Sequence, residues 1–111
     1  MPHGGSDPVF SVLDTINWWN GVNAANAGVA DSFVRVFPVP GMTHCGGGPA
    51  TDHFDSLSAL ERWVIDGKAP ASIPAFPGKE APWPGREMPL CPYPQIALAN
   101  GANGYRCGMQ P

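Results

Sequence analysis

The sequence has 111 residues, 43% of them hydrophobic, and a formal net charge of −3. That is room for one ordinary domain with a core, and six Lys and Arg scattered singly make no basic stripe for phosphates, which excludes nucleic acid as an expected partner. The longest apolar runs are about five residues against the roughly 20 that a bilayer span needs, and "MPHGGSDP" lacks the charged and apolar regions of a targeting signal, so no membrane association is expected.

The first predicted element is a helix over Val12–Ala27. Ser11 stands three residues before Asp14 in a capping-box pattern, Val12, Ile16, Trp19 and Val22 recur at helical steps, and Gly28 is the stop. Phe33 to Phe37 follows, short, β-branched and aromatic, apolar on both faces apart from Arg35, and reads as a buried strand. A loop of glycines and prolines, "VPGMTHCGGGP", then presents His44 and Cys45. A second helix is predicted over Asp52–Asp66, with Asp52 as N-cap, Asp55 in the first turn, an apolar stripe of Phe54, Leu57, Leu60 and Val64 with Trp63 beside it, and Gly67 and Pro70 as terminators. Residues 70–111 read as a proline-rich, irregular tail that wraps the domain. The order of elements resembles the end of an open α/β sheet, because one strand alone cannot make a sheet.

Two loops stand where a strand hands over to a helix, the edge at which α/β sheets collect catalytic groups. The first contains Asp7 before Pro8, which keeps Asp7 extended or in a turn; the second contains His44. An acid on one loop and a histidine on the next reproduce the chain order of the last two members of a Ser…Asp…His triad, with the nucleophile upstream. Taken alone, Asp7 is a turn-former and a lone loop histidine is more often structural than catalytic. A zinc site from His44, Cys45, Asp52 and His53 matches no zinc-ligand spacing, so no metal is expected. His3 and His53 read as surface residues, and Trp18, Trp19 and Trp63 as core packing and not a sugar platform. Three cysteines, Cys45, Cys91 and Cys107, are an odd number, so at least one is free or pairs outside this sequence.

"GGSDPVFSVLDTINWWN", "VFPVPGMTHCGGGPATDHFDSLSALERWVIDGKAP" and "PLCPYPQIA" together resemble the C-terminal part of the tannase/feruloyl esterase family, which also contains the hydrolase of terephthalate monoesters. The resemblance runs from Gly4 to about Cys107; its specific core is the block Pro40 to Gly47 with "MPLCPYP", Met88 to Pro94, where Met88 departs from the family's usual arginine. It implies residues 1–111 as the C-terminal portion of an α/β-hydrolase fold, with an incomplete sheet and with the nucleophile elbow and lid domain absent. Residues 1–69 would carry the acid and base loops. By motif match Asp7 would be the triad acid and His44 the general base. The resemblance also pairs Cys91 with Cys107 and gives Cys45 a partner upstream, next to the nucleophilic serine.

The implied activity is hydrolysis of aromatic carboxylic esters without a cofactor. The implied partners are a small aromatic ester and the missing N-terminal part of the same enzyme, and the chain alone would be inactive. Disulfides persist in oxidising compartments, which implies a secreted or periplasmic parent. A non-catalytic ligand-binding or interaction domain and an inactive truncated product are the alternatives. Which ester is used, feruloyl, galloyl or a terephthalate monoester, is not written in these residues.

Overall fold

The computed structural model describes residues 1–102 and 104–111. It opens with strand β1 (Pro2–Gly4), helix α1 (Val12–Ala25), a 3-10 turn (Ala30–Ser32) and strand β2 (Phe37–Val39). Strands β1 and β2 pair in parallel, Pro2 opposite Phe37 and Gly4 opposite Val39, so α1 lies on the crossover that a parallel pair requires. The first helix begins where Ser11 caps it, the hydroxyl accepting from Leu13 N at 3.2 Å. The reciprocal capping box does not form: the Ser11 hydroxyl takes Leu13 N in place of Asp14 N, and Asp14 N donates to the Ser11 carbonyl. After Ala25 the chain turns through Ala27 and Gly28, both at positive φ, and Gly28 N returns to Asn23 O.

The predicted strand over Phe33–Phe37 is displaced. Phe33 and Val34 give their amides to Ala30 O, and buried Val36 gives its carbonyl to Tyr93 N, so these residues close a turn and meet the tail instead of joining β1. The strand starts at Phe37 and includes Pro38. Phe37 N donates to Met1 O and Val39 O accepts from Gly5 N. Pro38, between them, faces the opposite edge, where a missing N–H breaks no bond to β1.

After the His44 loop come strand β3 (His53–Phe54), helix α2 (Ser56–Asp66) and strand β4 (Ala75–Phe76), with β3 and β4 antiparallel. The helix starts later than expected because Asp55, not Asp52, is its cap, taking Ser58 N at 3.0 Å and Ser58 Oγ at 2.7 Å. Gly67 ends it in the left-handed conformation. The stripe predicted to face a core is largely open: Leu57 is 66% and Val64 76% exposed, and the buried residue of α2 is Ala59. Phe54, placed by β3, packs on the core.

The tail is more regular than its prolines suggest. Ile73 and Leu90 exchange backbone hydrogen bonds of 3.0 and 2.8 Å, and Ile96–Asn100 (β5) pairs antiparallel with Gly104–Gly108 (β6). Cys91 is bonded to Cys107, Cα to Cα 5.5 Å, which fastens this hairpin beside Leu90. Ile73, Ala75 and Leu90 join Phe37, Val39, Met42, Ala50 and Ala59 in one buried cluster. A second cluster holds Trp19, Ala30 and Val36, with Trp19 Nε1 donating to Val34 O at 3.0 Å and its ring edge-on to Tyr93 at 5.5 Å. The first cluster includes Phe37 and Val39 of β2, and the second includes Val36, the residue before that strand.

Candidate active site

The loop after β1 turns at once. Gly5 N donates to Val39 O, Ser6 N to Met42 O and Asp7 N to Gly4 O. Asp7 is followed by proline, which has no N–H, and its Oδ1 accepts from the next two amides, Val9 N at 2.8 Å and Phe10 N at 3.0 Å. Its Oδ2 lies 3.0 Å from His44 Nδ1, so the acid turn and the His44 loop meet. The Asp7 side chain is 5% exposed and His44 43%. The His44 hydrogen bond, then the Phe10 amide, hold the Asp7 carboxyl down to a pKa of about 2 against the opposing effect of desolvation.

At neutral pH that carboxylate only accepts, so His44 Nδ1 carries the hydrogen and Nε2 is left as the basic nitrogen. The arrangement can take a proton at Nε2 and stabilise the resulting imidazolium.

The His44 loop is held by unusual backbone and by two acids outside it, Asp52 and Glu80. Cys45, a non-glycine, sits at φ 61°, inside a run with Gly46, Gly47 and Gly48 also at positive φ. A left-handed non-glycine costs of order 1–3 kcal/mol and persists when its surroundings fix it. Here Thr43 N donates to Gly47 O and the Thr43 hydroxyl to Gly46 O. Gly47 N donates to Asp52 Oδ2 at 2.8 Å and Gly48 N to Glu80 Oε2 at 3.2 Å. Asp52, expected to cap α2, is thereby committed to the loop; its Oδ1 is buried without a hydrogen-bond partner. Gly4 allows the two loops to touch, because a Cβ there would run into the carbonyl oxygens of Met42 and Thr43.

A cleft of about 490 Å³ opens beside the pair, lined among others by His3, Phe10, Trp18, His44 and Cys45. The Phe10 and His44 rings lie 5.6 Å apart, tilted by 54°. Trp18 is half-exposed at this cleft and is not core, whereas Trp19 is. Cys45 is an exposed free thiol among the described residues. His53 is exposed, 3.5 Å from Asp52 Oδ1. His3, expected at the surface, has a 15% exposed side chain bonded to Thr15 and Phe10 and facing Asp7. Among the described residues no three His, Cys, Asp or Glu side chains gather as a metal site.

Sequence reasoning missed Asp52 and Glu80 as supports of the loop. A run of glycine amides with no secondary structure was the available signal, since such amides need acceptors.

The family model described as tannase and feruloyl esterase matches residues 1–108. The chain is 49% identical over 102 residues to the mono(2-hydroxyethyl) terephthalate hydrolase of Piscinibacter sakaiensis, a match covering 90% of this chain and 17% of that protein. It is 33% identical over 89 residues to feruloyl esterase B of Aspergillus niger, covering 65% of this chain and 17% of that one. An esterase crystal structure from Aspergillus oryzae superposes with TM-score 0.78 at 24% identity, over 96% of this chain and 26% of that one. The tannin acyl hydrolase of Aspergillus niger gives 0.74 at 22%, over 98% and 22%. The chain thus spans about a fifth of the length of these relatives and shares the fold of that part.

Proposed function

The chain belongs to the tannase and feruloyl esterase family, and from that premise we propose that it carries the acid and base of a serine ester hydrolase acting on aromatic acid esters. His44 Nε2 takes the proton from a serine hydroxyl as that oxygen attacks the ester carbonyl. The imidazolium then gives the proton to the departing alcohol or phenol oxygen. Water repeats the cycle on the acyl-enzyme, giving up its proton to His44 and releasing the acid and the free serine. Asp7 stays ionised throughout, fixes the Nδ1–H tautomer and stabilises the cation.

The observation that carries this reading is the 3.0 Å contact between Asp7 Oδ2 and His44 Nδ1 beside an open cleft. The serine, its elbow, the oxyanion-hole amides and the lid are supplied by chain outside these 111 residues. Cys45, exposed next to His44, pairs there with the cysteine that precedes the serine. Alone, the 111 residues lack the nucleophile and the oxyanion hole, the largest electrostatic contribution to such catalysis, and turn over no ester. No cofactor takes part. The Cys91–Cys107 bond supports a secreted or periplasmic setting.

A chimera tests the proposal. Residues 1–108 replace the matching segment of the terephthalate monoester hydrolase, and the product is assayed on aromatic monoesters. Hydrolysis that falls about ten-thousand-fold or more in His44→Ala, with the fold intact, is the expected result. A folded chimera whose turnover ignores His44→Ala would end the reading.

A further inference from the structure

His3 is the middle residue of β1, and its ring makes more contacts with the acid turn than strand pairing requires. Nε2 lies 2.9 Å from the Phe10 carbonyl oxygen and 3.5 Å from Asp7 Oδ2; Nδ1 lies 2.8 Å from Thr15 Oγ1. A carbonyl oxygen only accepts, so Nε2 must carry a hydrogen. Nδ1 is then left to the Thr15 hydroxyl, which can donate to it. One side chain thus joins β1, the Asp7–Phe10 turn and the first turns of α1.

The consequence falls on Asp7. Its Oδ1 is held by the amides of Val9 and Phe10, so anything that fixes the Phe10 peptide fixes that grip. Its Oδ2 is shared between two imidazoles, His44 at 3.0 Å and His3 at 3.5 Å. We propose that His3 is a positioning residue for the Asp7–His44 pair: its Nε2–H pins the Phe10 carbonyl and borders Asp7 Oδ2, which confines the carboxylate to the orientation that faces His44. The proposal rests on the reading of Asp7 and His44 as acid and base, but its first test needs no substrate.

Nitrogen-15 NMR of the 111-residue chain reads the tautomer of His3 and the Nδ1–H of His44 directly. His3 is expected as the Nε2–H form, and the His44 Nδ1–H as a downfield, slowly exchanging signal. In His3→Phe, which keeps a ring and removes the N–H, that proton exchanges about tenfold faster or more. His3→Gln, whose amide nitrogen reaches the place of Nε2, restores slow exchange. The amides of the β5–β6 hairpin report whether each variant is folded. A His3 that carries its proton on Nδ1 in the unsubstituted chain overturns the proposal even if His3→Phe does not fold. So does unchanged His44 exchange in a folded His3→Phe.

In the chimera, His3→Phe lowers kcat about tenfold with KM unchanged, and His3→Gln recovers it, as loss of alignment and not of binding requires. A chimera without esterase activity alongside the expected NMR result would remove the proposed function and leave the placement of Asp7 by His3 standing.

Discussion

Gly4 rests directly against the carbonyl oxygen of Thr43, with no room for a side chain between them. One residue thereby sets the separation of two loops whose functional groups sit three residues beyond it, at Asp7, and one beyond Thr43, at His44. Gly4→Ala is expected to lower stability by about 1–3 kcal/mol, the usual cost of forcing a methyl into a closed contact. Urea unfolding measures it, and the His44 Nδ1–H signal should shift in the same variant. A neutral substitution would mean that the loops are free to part.

Acid should act on the fold partly through Asp7. Its folded pKa, about 2, lies below the ordinary carboxylate value, so between roughly pH 4 and pH 2 the unfolded chain binds a proton that the folded chain does not. Stability from this group is complete above that window and is lost as pH falls through it. Asp55, lowered by its bonds to Ser58, acts with the same sign. The slope of stability against pH should therefore be shallower in Asp7→Asn, with the Asp55 part remaining. An equal slope in the two proteins would contradict it.

Asp52 and Asp55 stand three residues apart and do different jobs. Asp55→Ala removes a helix cap and should cost about 1 kcal/mol, seen as fraying of α2. Asp52→Ala leaves Gly47 N without its acceptor, at a cost of about 1–3 kcal/mol. Hydrogen exchange separates them: Gly47 loses protection in the second variant and keeps it in the first.

The Cys91–Cys107 bond has its own signature. Removing the Cys91–Cys107 bond opens a loop with a sequence separation of 16, worth about 3 kcal/mol in the chain-entropy account. The double alanine variant should unfold at correspondingly lower urea. Alkylation of the unreduced protein should label Cys45 alone, and label on Cys91 or Cys107 would contradict the pairing.

Legibility followed the range of the forces involved. Helix α1 was readable because Ser11 and Gly28 act on their own neighbours, and the approach of Asp7 to His44 because a loop that leaves a strand can be named before the partner loop is known, although the second of these loops runs into β3 and not straight into a helix. The strand at Phe37–Val39 was misplaced because Pro38 is tolerated only at an edge facing away from β1, a fact about the partner and not about the local pattern. Asp52 and Asp55 are equally good caps in sequence; the glycine amides of the preceding loop claim the first. The β5–β6 hairpin was passed over amid prolines, although Ile96 and Leu98 alternate before Asn100 and Gly101. The stripe on α2 was periodic and yet stands open, since periodicity names a face without naming what covers it.

The buried cluster around β2 draws on residues from Phe37 to Leu90, and the bonds between Ile73 and Leu90 are among those that close it. Its members come from separate stretches, around Phe37 and Met42, Ala50, Ala59, Ile73 and Ala75, and Leu90, so the whole of it cannot form from near neighbours alone. Helix α1 and its 3-10 turn, built from near neighbours, are placed to form early, while the platform under the His44 loop waits for the closure of a long excursion. Glu80, which holds Gly48, arrives on that same excursion. The geometry between Asp7 and His44 is therefore expected late in folding, and a refolding experiment that follows the His44 Nδ1–H should see it appear after the helical signal has reached its final value.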